Sequence, residues 1–578
     1  MKLFMRYLRN HIGKCLFALS AKFIGAITDL WIPILLATLI DEIAIKGDKQ
    51  EALLWGVYML AAATFSFVSN FSANYMASTI STAVGREVRR DLFGKSVYLS
   101  ASQIDNITVS SLETRLTSDT YNIQQVLSMM FRLGVRAPVL LIGGIFMSYI
   151  LDPVLALILT LTLPLIVIIV FIISSRGIKL YSNVQKNEDR MAGCVRENVV
   201  GIRVIKALAA KNFETNKFGD INTDLTNSDI AATSNMIMSN PLVTVILNLS
   251  SVIVLYVGAH RVSDGYCDEG VLLAFITYFT IISAALMNLS RIFIMATKGL
   301  ASGNRIESVL QHEPDLLVTE KEDRREGLPY IYFDNVSFSY HANDDSEQEH
   351  EMNIKNITLG LEKGQTLGIL GPTGSGKSTL LLLLMRFYDV TQGAIYIDGV
   401  NVKSIPLETL HKKFGVTLQS DYLFSDSILE NICFGRTLEM NDVEQSIQVA
   451  QAKNFINSYD ETYDYKLAIK GSNLSGGQKQ RLLIARAVAG SPDVLILDDS
   501  SSALDYKTDS LLRQELQKVQ GSTTTVLVAQ RISSIKDADI ILVLEKGEIL
   551  DVGKHDDLMQ RCESYKTLSE HQLGVLEE

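Results

Sequence analysis

The run Gly371-Pro-Thr-Gly-Ser-Gly376-Lys377-Ser378-Thr379 holds the residue types that grip a nucleoside triphosphate. It follows a short apolar strand, Thr366–Leu370, and opens a helical run through Arg386. Glycines let backbone N–H groups wrap the phosphates, and the helix N-terminus adds partial positive charge. In this strand–loop–helix setting Lys377 is placed to reach the β- and γ-phosphates and Ser378 to ligate Mg²⁺. Gly371, Pro372, Thr373, Gly374, Ser375, Gly376, Lys377, Ser378 and Thr379 together form the expected ATP cradle.

Two further positions complete such a site. Asp498 closes a second apolar strand, Val494–Leu497. A carboxylate there can hold the Mg²⁺ shell; taken alone, it could simply end a strand. Tyr340, in Val336-Ser-Phe-Ser-Tyr340, can stack on adenine or pack within its strand. A third run, Leu474-Ser475-Gly476-Gly477-Gln478-Lys479-Gln480-Arg481, starts a helix that continues through Ala487. Its adjacent glycines expose N–H groups at a helix start and Ser475 adds a hydroxyl, which makes a clamp for a γ-phosphate.

The elements that position these residues divide the chain in two. It has 578 residues, 47% of them hydrophobic, too apolar for an ordinary soluble enzyme and long enough for several domains. The apolar residues gather before about residue 300. Six segments there are long enough to cross a bilayer, which takes roughly 20 apolar residues each. They lie near Leu16–Ile43, Leu53–Met76, Phe131–Ile150, Val154–Ile173, Leu242–Val257 and Val271–Ile294. Helical-looking sequence runs on past the membrane at Ala83–Leu92 and Arg176–Leu208.

Lys2, Arg6, Arg9 and Lys14 precede the first span, and Arg86, Arg89, Arg90 and Lys95 follow the second. Seven basic residues between Arg176 and Lys206 follow the fourth. The short links 151–153 and 258–270 carry one, Arg261. The positive-inside rule then expects a multi-pass protein of the cell membrane with both termini in the cytoplasm. No small-residue cleavage site follows the first apolar run, so it reads as a retained span.

The predicted fold class is a membrane α-helical domain of six transmembrane helices with long cytoplasmic extensions, joined to an α/β P-loop nucleotide-binding domain. The expected boundaries are 1–310 for the membrane domain, 311–329 for a charged linker and 330–578 for the nucleotide domain. The acidic stretch His341–Glu351 reads as a solvated loop. Five scattered cysteines show neither a disulfide framework nor a zinc spacing. A net charge of −11 argues against nucleic acid as a partner.

In the order of these motifs the chain resembles the ATP-binding cassette (ABC) transporter family along nearly its whole length. The sequence runs through Tyr340, the P-loop, Gln419, the Leu-Ser-Gly-Gly-Gln signature, Asp498, Ser502-Ala503-Leu504-Asp505 and the Gln530 position. Six spans ahead of one nucleotide domain look like an exporter-type half-transporter. The resemblance implies that two nucleotide domains pair head to tail. Each ATP would then lie between one P-loop and the other chain's Ser475, Gly476, Gly477 and Gln478. It also implies that Gln419 reaches Mg²⁺, and that stretches near Thr108–Asp119 and Lys211–Phe218 couple the nucleotide and membrane domains.

Two departures stand out from that family pattern. Asp499 occupies the place of a general-base Glu, and Gln530 that of a phosphate-sensing His. Asp is one methylene shorter, about 1.5 Å. General-base catalysis contributes ~10²–10⁴-fold, and a misplacement near 1 Å can cost ~10²-fold. Gln530 can donate a hydrogen bond but carries no positive charge. A looser third change is Ile469, where many exporters have Glu.

Asp499 with Gln530 is similar to the degenerate-site subunit of heterodimeric multidrug exporters. The resulting expectation is ATP-driven efflux of hydrophobic or amphipathic small molecules, shared with a second, different half-transporter. The alternatives are a homodimeric lipid or peptide exporter and a regulatory nucleotide-binding subunit. Asp29, Asn70, Asn74, Asn248 and Asn288 put polar groups inside the spans, where they could meet substrate or hold helices together. No protease-like segment precedes the first span, so processing of a leader peptide is not expected.

Overall fold

The computed structural model describes residues 2–44, 48–319, 323–340, 352–500, 503–519 and 523–573. The acidic stretch His341–Glu351 and Ser502 lie outside them. The chain forms two compact units, Met1–Val97 with Ser110–His312, and Tyr98–Val109 with Glu313–Glu578.

The first unit is helical. Its main helices are α1 (Ile12–Thr38) and α2 (Lys49–Val97). A short helix, α3 (Ala101–Ile107), follows in the chain but belongs to the second unit. The first unit resumes with α4 (Thr120–Leu133), α5 (Arg136–Leu151), α6 (Pro153–Val200), α7 (Ile202–Ala207), α8 (Lys211–Ile237), α9 (Ser239–Ser263) and α10 (Glu269–Leu310). Six stretches among the described residues are long and apolar enough to span a membrane, and each overlaps one of the six expected spans. At 1.5 Å per residue, the 49 residues of α2 extend about 70 Å, more than twice the ~30 Å of a hydrocarbon core. The polar sequence after the second and fourth spans thus continues the same helices, as the composition suggests.

Small residues let these helices approach closely. A Cβ on Gly143 would lie 2.4 Å from Leu30 Cδ1, so glycine lets α5 sit close to α1 with Leu30 in this position, and a larger residue would oblige that side chain to shift. The Tyr278 hydroxyl on α10 donates to the Leu30 carbonyl at 2.5 Å, satisfying a phenol buried in the apolar interior.

The short helices that interrupt the long ones lie upstream of the stretches expected from the resemblance. The Ser100 hydroxyl caps α3 in a capping box with Gln103, and Thr108, at φ +67°, breaks the chain direction after it. Likewise Gly201 precedes α7, and Ala209, at φ +52°, follows it. Thr108–Asp119 itself holds a six-residue helix, Val109–Thr114, and the turn Arg115–Asp119 that leads into α4, while Lys211–Phe218 is the start of α8.

The second unit holds two sheets. An antiparallel one has the order β2-β1-β4-β5, from β1 (Ile331–Phe338), β2 (Ile354–Leu361), β4 (Gln392–Ile397) and β5 (Val400–Asn401). The other comprises β3 (Thr366–Leu370), β6 (Phe414–Thr417), β7 (Val494–Asp498), β8 (Thr524–Val528), β9 (Ile540–Glu545) and β10 (Glu548–Gly553). Its order is β10-β9-β3-β8-β7-β6, parallel except for β10. Strands β3 and β7 are buried along their whole length, which is why they read as unbroken apolar runs.

Leu380, Leu381, Leu383 and Leu384 pin the P-loop helix, α11 (Lys377–Leu384), into the core shared by both sheets. Each fully buried leucine contributes about 1.5–3 kcal/mol. A separate core forms around α12 (Gly476–Val488), built on Leu482, Leu483, Ile484 and Ala485.

Candidate active site

Strand order creates the site. The parallel strands β3, β8, β7 and β6 are neighbours, so their C-terminal ends share one edge, the usual place for a ligand in an open α/β sheet. After β3 comes the P-loop, after β8 Gln530, at and after β7 Asp498 and Asp499, and after β6 Gln419. These ends surround a cleft of about 560 Å³ lined by Thr373, Gly374, Gly376, Lys377, Ser378, Thr379, Gln419, Asp498, Asp499 and Gln530. Residues separated by more than a hundred positions are brought together there.

The loop is held open by its backbone. Gly374 at φ +82° and Gly376 at φ +100° occupy the left-handed region that glycine adopts without strain. A Cβ on Gly371 would lie 2.3 Å from the Leu544 carbonyl oxygen. Gly371 and Pro372 accept from Lys377 Nζ at 2.7 and 2.9 Å, which draws the ammonium across the loop. Ser375 is buried, and its carbonyl accepts from Gly547 N at 3.1 Å, tying the loop to the β9–β10 turn. Burial lowers the Lys377 pKa, opposed by the Asp498 and Asp499 carboxylates.

Ser378 Oγ donates to Asp498 Oδ2 at 3.0 Å. Burial raises the Asp498 pKa, and the Ser378 hydrogen bond partly offsets this. A hydroxyl and a buried carboxylate, with the Gln419 side chain on the same cleft, make an all-oxygen donor set. That set suits Mg²⁺, which prefers oxygen ligands, takes one or two carboxylates and shares its shell with phosphates and water.

Asp499 has a left-handed backbone, φ +48°, and its N–H donates to Val528 O at 2.9 Å. Its Oδ2 accepts from Gln530 Nε2 at 3.0 Å. The two positions singled out in the sequence thus bond to each other. Burial raises the Asp499 pKa against the pull of Lys377, Arg531 and the Gln530 hydrogen bond.

Tyr340 does not line the cleft but stands beside it, with its hydroxyl 3.1 Å from Thr379 Oγ1. Its ring meets Phe338 and Tyr388 edge-on, at centroid distances of 4.8 and 5.2 Å, and the side chain is 41% exposed. An aromatic face braced in this way can carry a base.

The signature residues Ser475, Gly476, Gly477 and Gln478 are not brought to this cleft. Ser475 caps α12, accepting from Gln478 N at 3.3 Å, while its own N–H donates to Gln478 Oε1 at 2.8 Å. Nearby Ile469 is 67% exposed.

Several residues at the site carry no sequence signal. Met352, Asn353, Lys355 and Lys546 line the cleft. Gln572 Nε2 donates to the Gln530 carbonyl at 3.0 Å and its Oε1 accepts from Ile532 N at 2.8 Å, bracing the turn that carries Gln530. Tyr388 donates to Asp105 Oδ2 of α3 at 2.6 Å, and burial together with that bond raises its pKa.

Comparison with known proteins agrees with this architecture. Residues 15–286 match the ABC transporter transmembrane region and 354–502 the ABC transporter domain. The chain is 34% identical to the uncharacterized ABC transporter ATP-binding protein YfiB of Bacillus subtilis, over 94% of each chain. It is 29% identical to ATP-dependent lipid A-core flippase 1 of Colwellia psychrerythraea, over 93% of this chain and 90% of that one. A bacterial Atm1-family ABC exporter with ATP bound shares its fold at a TM-score of 0.80 and 23% identity, covering 98% of each chain. With six membrane-spanning stretches and an ATP-binding α/β domain in one polypeptide, the chain belongs to the ABC transporter family as an exporter-type half-transporter, an ATPase coupled to transport across a membrane.

Proposed function

We propose that this chain is the hydrolysis-impaired half of a heterodimeric exporter of hydrophobic or amphipathic small molecules, with both termini in the cytoplasm. The reading rests on the 3.0 Å bond between Gln530 Nε2 and Asp499 Oδ2. A general base must reach the attacking water and accept its proton. Here the carboxylate is a methylene short and one of its oxygens is already engaged by an amide.

The rest of the cleft is equipped for binding. Tyr340 carries the adenine, the loop from Gly371 to Thr379 wraps the phosphates, and Lys377 faces their charge. Ser378, Gln419 and Asp498 are the oxygen donors for Mg²⁺, which when bound would neutralise phosphate charge. The signature of this chain, Ser475 to Gln478, presents N–H groups and a hydroxyl to ATP held by the partner's P-loop. ATP therefore turns over at the partner's site and persists at this one. The retained nucleotide keeps the two nucleotide domains partly joined, which limits the swing of the helix bundle.

A single-turnover trap with labelled ATP on the purified complex tests this. One of the two bound nucleotides should remain ATP while the other becomes ADP. Rapid, equal conversion of both would refute the reading.

A homodimeric lipid exporter is the second reading, favoured by relatives named lipid A-core flippases in Colwellia psychrerythraea and Pasteurella multocida, each 29% identical. In that case Asp499 acts as a slow base in two equal sites. Subunit composition separates the two. A different half-transporter should co-purify with this chain, which alone should show little ATPase activity.

A further inference from the structure

Among the described residues, three helices meet at the turn that carries Gln530. They are α13 (Tyr506–Val519), α14 (Ile532–Ile535), which the turn opens, and α15 (Glu563–Leu573). Strand β8 ends at Val528, and Ala529 N still donates to Ile369 O of β3 at 3.3 Å. Beyond it the backbone leaves the ladder. The Gln530 carbonyl then accepts from Gln572 Nε2 at 3.0 Å, and Ile532 N donates to Gln572 Oε1 at 2.8 Å. One side-chain amide thus closes two backbone groups of a single turn, the task a neighbouring strand performs inside a sheet.

Gln572 is delivered by a helix with its own anchor. Tyr565, Ser569 and Gln572 follow at intervals of four and three residues, which places them on one face of α15. Tyr565 is 0% exposed and Ser569 2%. Tyr565 packs in one core with Ala529, Ile532 and Ile535, so α15 and the turn bury the same apolar surface. On another side Arg513 of α13 donates to the Ser533 carbonyl and pairs with Asp509 at 3.0 Å. The Arg531 guanidinium lies 5.4 Å from the centre of the Tyr506 ring.

Holding this backbone has a consequence for the cleft. Gln530 is exposed, yet its amide donates to Asp499 Oδ2 at 3.0 Å. An exposed side chain keeps such a bond only where ordering it costs little. A clamp on its own carbonyl lowers that cost, because it fixes the point from which the side chain starts.

We propose that Gln572 is a positioning residue for ATP hydrolysis. It holds the backbone at Gln530 so that the amide stays on Asp499, and α15 thereby sets how fast this chain's own site turns over. The assignment rests on the reading of Asp499 as a base occupied by Gln530, and deepens it by naming what keeps the pair together. A plain docking contact differs in one respect: its loss would loosen α15 without acting through Gln530.

The test is a double-mutant cycle on the full-length protein, purified with whatever chain accompanies it, in single turnover with saturating labelled ATP. The rate read is that of the slower phase of ADP formation, or of the sole phase where both sites convert alike. Gln530→Ala and Gln572→Met should each speed that phase by about threefold to tenfold, the scale of one hydrogen bond. Met is an unbranched side chain without an amide, so it keeps the packing and removes the clamp. The double variant should be no faster than Gln530→Ala alone, since Gln572 acts through that residue. Gln572→Glu should behave like Gln572→Met, because a carboxylate can accept from Ile532 N but cannot donate to the Gln530 carbonyl. The affinity for ATP should stay the same in both Gln572 variants, whose P-loop and Tyr340 are untouched.

Additive effects of the two changes would overturn the proposal. So would a Gln572→Met variant that melts earlier yet keeps the unaltered rate, the behaviour of a docking contact alone. Gln572→Glu matching the unaltered protein would overturn it as well. A slower phase in Gln572→Met would do the same, because the amide would then be assisting Asp499 instead of occupying it. Equal conversion of both nucleotides by the unaltered protein would sink the impaired-site reading alone, since the cycle is still read from the sole phase.

Discussion

The cleft at the ends of β3, β8 and β7 and the signature at the start of α12 belong to the same unit, but their polar groups are settled in opposite ways. In the cleft, the buried carboxylate of Asp498, the half-buried one of Asp499 and the half-buried Lys377 share one lining, and desolvation works against all three charges. At the signature, Ser475 and Gln478 satisfy each other in a closed capping box at an exposed helix start. The first region carries the departures from the family pattern, Asp499 and Gln530. The second keeps the whole pattern. On the reading proposed above, such a chain would lose the chemistry of its own site while still serving a partner's, because the two tasks lie on different elements.

The largest expected effect breaks the intact region. Ser475→Ala should lower ATP hydrolysis by the assembled pair ~10²-fold or more, the usual cost of removing one preorganised donor from a transition state. Asp499→Asn should change it little. Comparable losses in steady-state ATPase assays would show that the Asp499 site is catalytic.

Restoring the altered region is the converse experiment. Asp499→Glu combined with Gln530→His should raise hydrolysis at this chain's own P-loop by about tenfold to a hundredfold. Single-turnover conversion of the retained nucleotide is the readout. An unchanged rate would place the impairment elsewhere in the cleft.

Lys377→Ala should weaken ATP binding to this cleft by about tenfold. Transport should slow, while the partner site's chemistry remains. Nucleotide binding and substrate flux, measured on the same preparation, check both halves of that statement.

The smallest effect is on stability and has a defined sign. Burial raises the Asp498 pKa, so the folded, nucleotide-free chain binds protons more tightly than the unfolded one. The resulting penalty is fully present above the raised value and disappears as pH falls below the ordinary carboxylate range. Asp498→Asn should therefore melt at a slightly higher temperature at neutral pH, and the gain should shrink on acidification. Thermal unfolding across pH, without nucleotide, measures this. A gain that persists at low pH would assign the effect to packing.

Much of the site is legible in sequence because its chemistry is local. The P-loop glycines, Lys377 and Ser378 act through one turn and the helix it opens, and Ser475 caps the helix it begins. The spans are legible too, since twenty apolar residues leave few alternatives. The short helices α3 and α7 were less so. A capping box at Ser100 and left-handed residues at Thr108 and Ala209 bound them, and none of these was read as a helix boundary from the sequence.

The sequence by itself determined which residue types are present, in what order, and that two of them depart from the expected pair. It could not tell that Asp499 and Gln530 bond to each other, that Gln572 braces the turn carrying Gln530, or that Tyr388 ties Asp105 to the ring beside Tyr340. Nor could it show that Asp29, inside the first span, is taken up by Arg136 of α5. These facts join residues that are far apart along the chain. They depend on β8 inserting between β3 and β7 and on α1, α2 and α5 packing together. Such pairings are decided by how whole faces bury against one another, which no local spacing records.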